Sequence, residues 1–82
     1  MDQKRHLTLR QMQARQSGVV VQVLGGHGLI SRLDALGIRQ GKRITKISSM
    51  LMRGPVAIGV DNAQVAVGYG MANKIIIEVD TR

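Results

Sequence analysis

The side chains able to do chemistry are few and scattered. The sequence holds two histidines, His6 and His27, and no cysteine, so a transition-metal site would have to be assembled from imidazole and carboxylate. The acids Asp34, Asp61, Glu78 and Asp80 stand at no spacing that gathers them with either histidine. His27 lies among glycines in GGHG, residues 25–28, where a solvated loop histidine is the simple reading and a weak or intermolecular metal contact the alternative. Met50, Met52 and Met71 lack the repeated spacing of a thioether site and read as fillers of core gaps. The expectation is no bound metal and no cofactor.

Nucleophilic and phosphate chemistry fare no better. Ser31, Ser48 and Ser49 have neither histidine in a local signature beside them and are better explained as helix and strand surface. GIRQGKR, residues 37–43, is one residue short of a phosphate loop and has Arg43 where a Ser or Thr must meet Mg²⁺. GYGMAN, residues 68–73, places Asn73 at the third glycine of a dinucleotide fingerprint, and no acidic residue follows at the required distance. A domain this small also has little room for a polar substrate pocket. The sequence therefore reads as a non-enzyme.

Charge is the next signal. Twelve Lys and Arg against five Asp and Glu leave a net charge of +7, which suits nucleic acid, an anionic membrane surface or an acidic protein partner, and equally suits plain solubility. At 82 residues with Tyr69 as the one aromatic, the chain has length for one core, built from Val, Ile, Leu, Met and Ala. No run approaches the roughly 20 apolar residues of a membrane span, and the polar residues 1–6 lead into no signal-like run, so a cytoplasmic protein is expected.

The elements that must carry these residues follow from periodicity. Residues 1–6 are expected to be disordered and residues 7–82 to form one domain, with a short extended piece before a turn at Ser17 and Gly18. GVVVQVL, residues 18–24, predicts a strand with Val19, Val21 and Val23 facing the core. Leu29, Leu33 and Leu36 then fall at i, i+4 and i+7, the mark of a helix of about two turns. Gly37 supplies a left-handed stop, with Ile38 folding back on Leu33. Residues 42–50 predict a bulged strand because Ile44 and Ile47 are three apart. A loop at Arg53, Gly54 and Pro55 precedes the alternation of Val56, Ile58 and Val60. Asp61 and Asn62 read as a hairpin turn into residues 64–67, with Asn62 the residue tolerant of positive φ. One helical turn in residues 68–73 leads to a last strand at residues 74–79. The sum is a mainly β protein, a small antiparallel barrel of five or six strands with one short inserted α-helix.

LGGHGLISRLDALGI at residues 24–38 followed by Gly41, GPVAI at residues 54–58 and QVAVGYGMANKIII at residues 64–77 together resemble the FeoA family, small cytosolic companions of the ferrous-iron transporter FeoB. The resemblance spans about Leu7 to Val79. Gln40 stands where the family often has Pro, and Tyr69 where Arg is frequent. The resemblance implies an SH3-like barrel with no catalytic residues of its own, acting on the cytosolic GTP-binding part of FeoB to support Fe²⁺ uptake.

The expected contact surface is the GGHG loop, Gly25, Gly26, His27 and Gly28, with the helix face of Leu29, Arg32, Leu33 and Leu36. A core of this size has little room for all the leucines of that helix, although the bland alternative is that they close the barrel as core. The other function considered is a basic KOW-type RNA-binding barrel, since GVVVQVLGGHG resembles that family's strand and glycine loop. Tyr69 alone is a poor stacking platform, so nucleic acid is the weaker partner. A homodimer through an exposed barrel edge, and contact with anionic lipid beside a membrane-embedded partner, complete the expectations.

Overall fold

Alternating aliphatic side chains build most of the architecture. In the computed structural model, which describes residues 5–49 and 54–80, the strands are β1 (Arg5–Thr8), β2 (Ser17–Val23), β3 (Arg43–Ser49), β4 (Val56–Val60), β5 (Ala63–Val67) and β6 (Ile75–Val79). Helix α1 (His27–Ala35) joins β2 to β3, and the single turn α2 (Tyr69–Ala72) joins β5 to β6. All neighbours pair antiparallel, in the order β1-β6-β2-β3-β4-β5. The sheet wraps a single aliphatic core fed by β2 through β6, by Leu33 and Ile38 of the α1 region, and by Leu9 and Met12. Strand β1 begins at Arg5, two residues inside the stretch expected to be disordered. The parts expected for Met50, Met52 and Arg53 lie outside the described residues.

Strands β4 and β6 follow simple alternation, with Val56, Ile58, Val60 and Ile75, Ile77, Val79 turned inward. Strand β3 carries the expected bulge, at Ile47, between the pairs Lys46–Ile58 and Ser48–Ala57. The two-residue turn between β4 and β5 is also as expected, except that the positive φ of 56° falls on Asp61 and not on Asn62.

Strand β2 departs from expectation in two ways. Ser17 and Gly18 lie within the strand and make no turn; the chain reverses earlier, where Arg15 takes φ 73°. The inward residues of its first half are Gly18 and Val20, with Val19 and Val21 half-buried and outside the core cluster, while Val23 packs partly against the core as expected. Three consecutive valines give no parity of their own, so Gly18 decides it. A Cβ there would sit 2.5 Å from the Glu78 carbonyl oxygen and 2.6 Å from Ile77 Cγ2, so only glycine lets β6 come this close. A second bulge at Val21, between the Val20–Ile77 and Gln22–Ile76 pairs, then shifts the register of the rest of the strand.

The segment after β1 forms a strap. Leu9–Gln11 is a 3₁₀ turn closed by a capping box, in which Thr8 Oγ1 accepts from the Gln11 amide and Gln11 Oε1 accepts from the Thr8 amide. This T-x-x-Q spacing stood in the sequence unread. Leu9 and Met12 are buried, and β3 holds the strap through Lys46, which is 2% exposed. Its ammonium donates to the carbonyls of Arg10 (3.0 Å) and Met12. Burial first, and the nearby Arg10 charge second, hold the Lys46 pKa below the ordinary lysine range.

Candidate functional site

Helix α1 is set by its two ends. Gly25, at φ +154°, begins the turn out of β2, and a Cβ there would meet Leu29 Cδ2 at 2.6 Å. Gly26 is the N-cap without a side-chain cap, and its carbonyl accepts from the Ile30 amide at 3.0 Å. The helix therefore starts at His27, two residues ahead of the leucine pattern. At the other end Gly37 takes φ +88°, its amide donates to the Asp34 carbonyl, and the Ile38 amide donates to that of Leu33, each at 2.9 Å. This pair of bonds is the Schellman stop the sequence predicted.

Between these ends the helix has one fully inward residue. Leu33 is 0% exposed and joins the core, and Leu29 packs partly against it. Leu33 was expected on the contact surface and is withdrawn from it, because helical geometry gives the core-facing stripe to the residue nearest its centre. Gly25, Gly26, His27, Gly28, Arg32 and Leu36 are exposed. The expected surface is thus brought together on one helix and its leading loop, less Leu33.

The structure adds residues that periodicity did not select. Leu24 (44%), Ile30 (43%) and Leu36 (41%) are the large aliphatic side chains left exposed among the described residues. Beside Ile30 lies a groove of about 170 Å³ lined by Val23, Ile30 and Ile38 and edged by Gln22, Arg39 and Gln40. Asp34 also borders it, and Arg39 Nε donates to Asp34 Oδ1 at 2.6 Å, holding the rim. Gln40 Nε2 donates to the Val21 carbonyl at 2.9 Å, satisfying the strand where it bulges. Gln40 could not be placed from sequence because its partner is a backbone group exposed by that irregularity.

Electrostatics leave this face positive. The four described acids are each matched to a base: Asp34 to Arg39, Asp61 to Lys42 at 3.0 Å, Glu78 to His6 at 3.5 Å, and Asp80 to Arg43. Arg5, Arg10, Arg15, Arg32, Lys46 and Lys74 have no carboxylate partner among the described residues, and Arg32 is the one on α1. Among the described residues no three of His, Asp and Glu gather closely enough to hold a metal. Tyr69 has Arg10 over its ring, 5.4 Å from the centroid, while Arg10 Nε also donates to Asn73 Oδ1 at 2.8 Å. The aromatic face that a stacked base would need is thus shared with a guanidinium. No helix among the described residues is long and apolar enough to cross a membrane.

Comparison with known proteins is consistent in direction. The FeoA domain model matches residues 7–79. The chain belongs to the FeoA family. A protein of Methanocaldococcus jannaschii, provisionally named Fe(2+) transport protein A, is 33% identical over 60 residues, covering 73% of this chain and 71% of that protein. The crystal structure of a FeoA described as an iron uptake regulatory protein is 29% identical, with a TM-score of 0.88 over 93% of this chain and 100% of that one. A manganese-dependent transcriptional repressor, 17% identical, superposes with a TM-score of 0.83 over 94% of this chain but only 43% of its own. That last likeness is one of fold alone. The barrel is the SH3-like fold of the FeoA proteins.

Proposed function

We propose that this FeoA protein is a non-catalytic accessory of ferrous-iron uptake that docks on the cytosolic GTP-binding part of a FeoB-type transporter. The observation that carries the proposal is the α1 surface: Ile30 beside a groove, Leu24 and Leu36 also exposed, and Arg32 unmatched by any carboxylate among the described residues. Aliphatic groups at the centre of a contact and a positive charge beside them suit a partner surface that is apolar and acidic. The described residues offer no paired nucleophile and base. Such a protein acts in the cytoplasm, at the periphery of the membrane that holds its partner, where its excess cations also favour anionic lipid.

The test is retention of the purified protein by the transporter's cytosolic domain at moderate salt. Wild type is expected to bind, and Ile30→Asp, Leu36→Asp and Arg32→Glu to lose binding while keeping the wild-type circular dichroism. Binding unchanged in all three folded variants would refute this face as the docking surface. Failure of the wild type to bind, with retention by RNA in a salt-sensitive manner, would favour the nucleic-acid reading instead.

A further inference from the structure

The two edges of the sheet are unlike. Strand β1 ends the sheet on one side with Arg5 and His6 exposed, charged or chargeable side chains of the kind that keep edges apart. Strand β5 ends it on the other side with AQVAV, five uncharged residues without proline, in a chain of net charge +7. Val60 and Ala63 are the closing pair of a two-residue hairpin, so Ala63, Val65 and Val67 bond to β4. Gln64 and Ala66 then turn their N–H and C=O groups outward. Their side chains lie on the solvent face and are exposed, whereas Val65, on the core side, is left half-buried.

We infer that β5 pairs with β5 of a second copy of this chain. Laid antiparallel about Val65, the two strands set Gln64 opposite Ala66 twice, each pair exchanging both outward hydrogen bonds. The same register sets Asn62 against Gly68, so no charged side chain in residues 62–68 meets its like across the axis. Pairing also covers the open side of Val65. A second copy is favoured over an unrelated strand because the edge is self-complementary in register and free of the charge that otherwise repels two such chains. This surface shares no residue with the α1 face, so the inference stands apart from the docking proposal. A contact of one short strand is small, and the association is expected to be weak.

Sedimentation equilibrium of the full chain from about 10 µM to about 1 mM covers the range of weak association. The weight-average mass is expected to rise toward twice the chain mass. Gln64→Lys with Ala66→Lys places like charges opposite each other and is expected to weaken the dimer about tenfold. Gln64→Glu with Ala66→Lys places opposite charges in the same register and is expected to restore it. In the wild type, the Gln64 and Ala66 amides are expected to become more protected from hydrogen exchange as concentration rises, a readout independent of any variant's folding. A mass that stays monomeric throughout, or a dimer whose Gln64 and Ala66 amides gain no protection, would overturn the inference.

Discussion

Two segments leave the sheet and pack back on it, and they do so to opposite effect. The strap after β1 buries Leu9 and Met12 and has its carbonyls at Arg10 and Met12 taken by the Lys46 ammonium. Helix α1 buries Leu33 and closes with a fully bonded stop, yet leaves Leu36 and Ile30 more than 40% exposed. The strap uses its apolar residues for the fold, at the cost of burying an amine. The helix is attached by Leu33, by Leu29 packed partly against the core and by its C-terminal stop, and it keeps Ile30 and Leu36 outward. That exposed aliphatic surface is the ground on which α1, and not the strap, is proposed as the contact segment.

That comparison is sharpest at Leu33. Leu33→Ala removes the one fully inward anchor of α1 and is expected to cost about 2–5 kcal/mol, measured by urea unfolding. A loss below about 1 kcal/mol would mean that the helix is held elsewhere.

The strap's counterpart is Lys46. Lys46→Met keeps the volume but orphans two carbonyls, and is expected to cost about 1–3 kcal/mol. Its pH dependence has a definite sign. The folded pKa lies below the unfolded one, so between the two values the unfolded chain binds more protons and the Lys46 contribution grows more favourable as pH rises. Wild type should therefore gain on Lys46→Met as pH rises through the alkaline range toward the ordinary lysine value of 10.5. Thermal melts of both proteins across that range check it, and a gap that shrinks with pH would contradict the assignment.

The smallest effect belongs to the outward side of α1. Leu36→Ser is expected to change stability by no more than about 0.5 kcal/mol, in contrast to Leu33 three residues away. A large loss would move Leu36 from the contact surface to the fold.

What could be read in advance divides along the same physical line. The helix stop, the hairpin at Asp61 and Asn62, the β3 bulge and the β4 alternation were legible because each depends on neighbouring residues. Gly18 was not, because its inward position follows from the closeness of β6, some sixty residues later in the chain. Lys46 was not, because a lysine reads as surface unless its carbonyl partners on the strap are known. On the candidate site, the GGHG loop, Arg32 and Leu36 were legible as an exposed group. Leu33 was misplaced because three leucines on one stripe do not reveal which is central. Leu24 stays outside any helical stripe, and the groove beside Ile30 depends on how the loop after α1 crosses the bulge in β2.

The most direct test of α1 as the contact surface is amide chemical-shift mapping of the labelled protein during titration with the cytosolic domain of the transporter. Perturbations are expected to concentrate at Leu24, Gly26, Ile30, Arg32 and Leu36 and to spare Leu9, Gln11 and Arg15 of the strap. Perturbations confined to the strap or to β5, with α1 unmoved, would contradict the account.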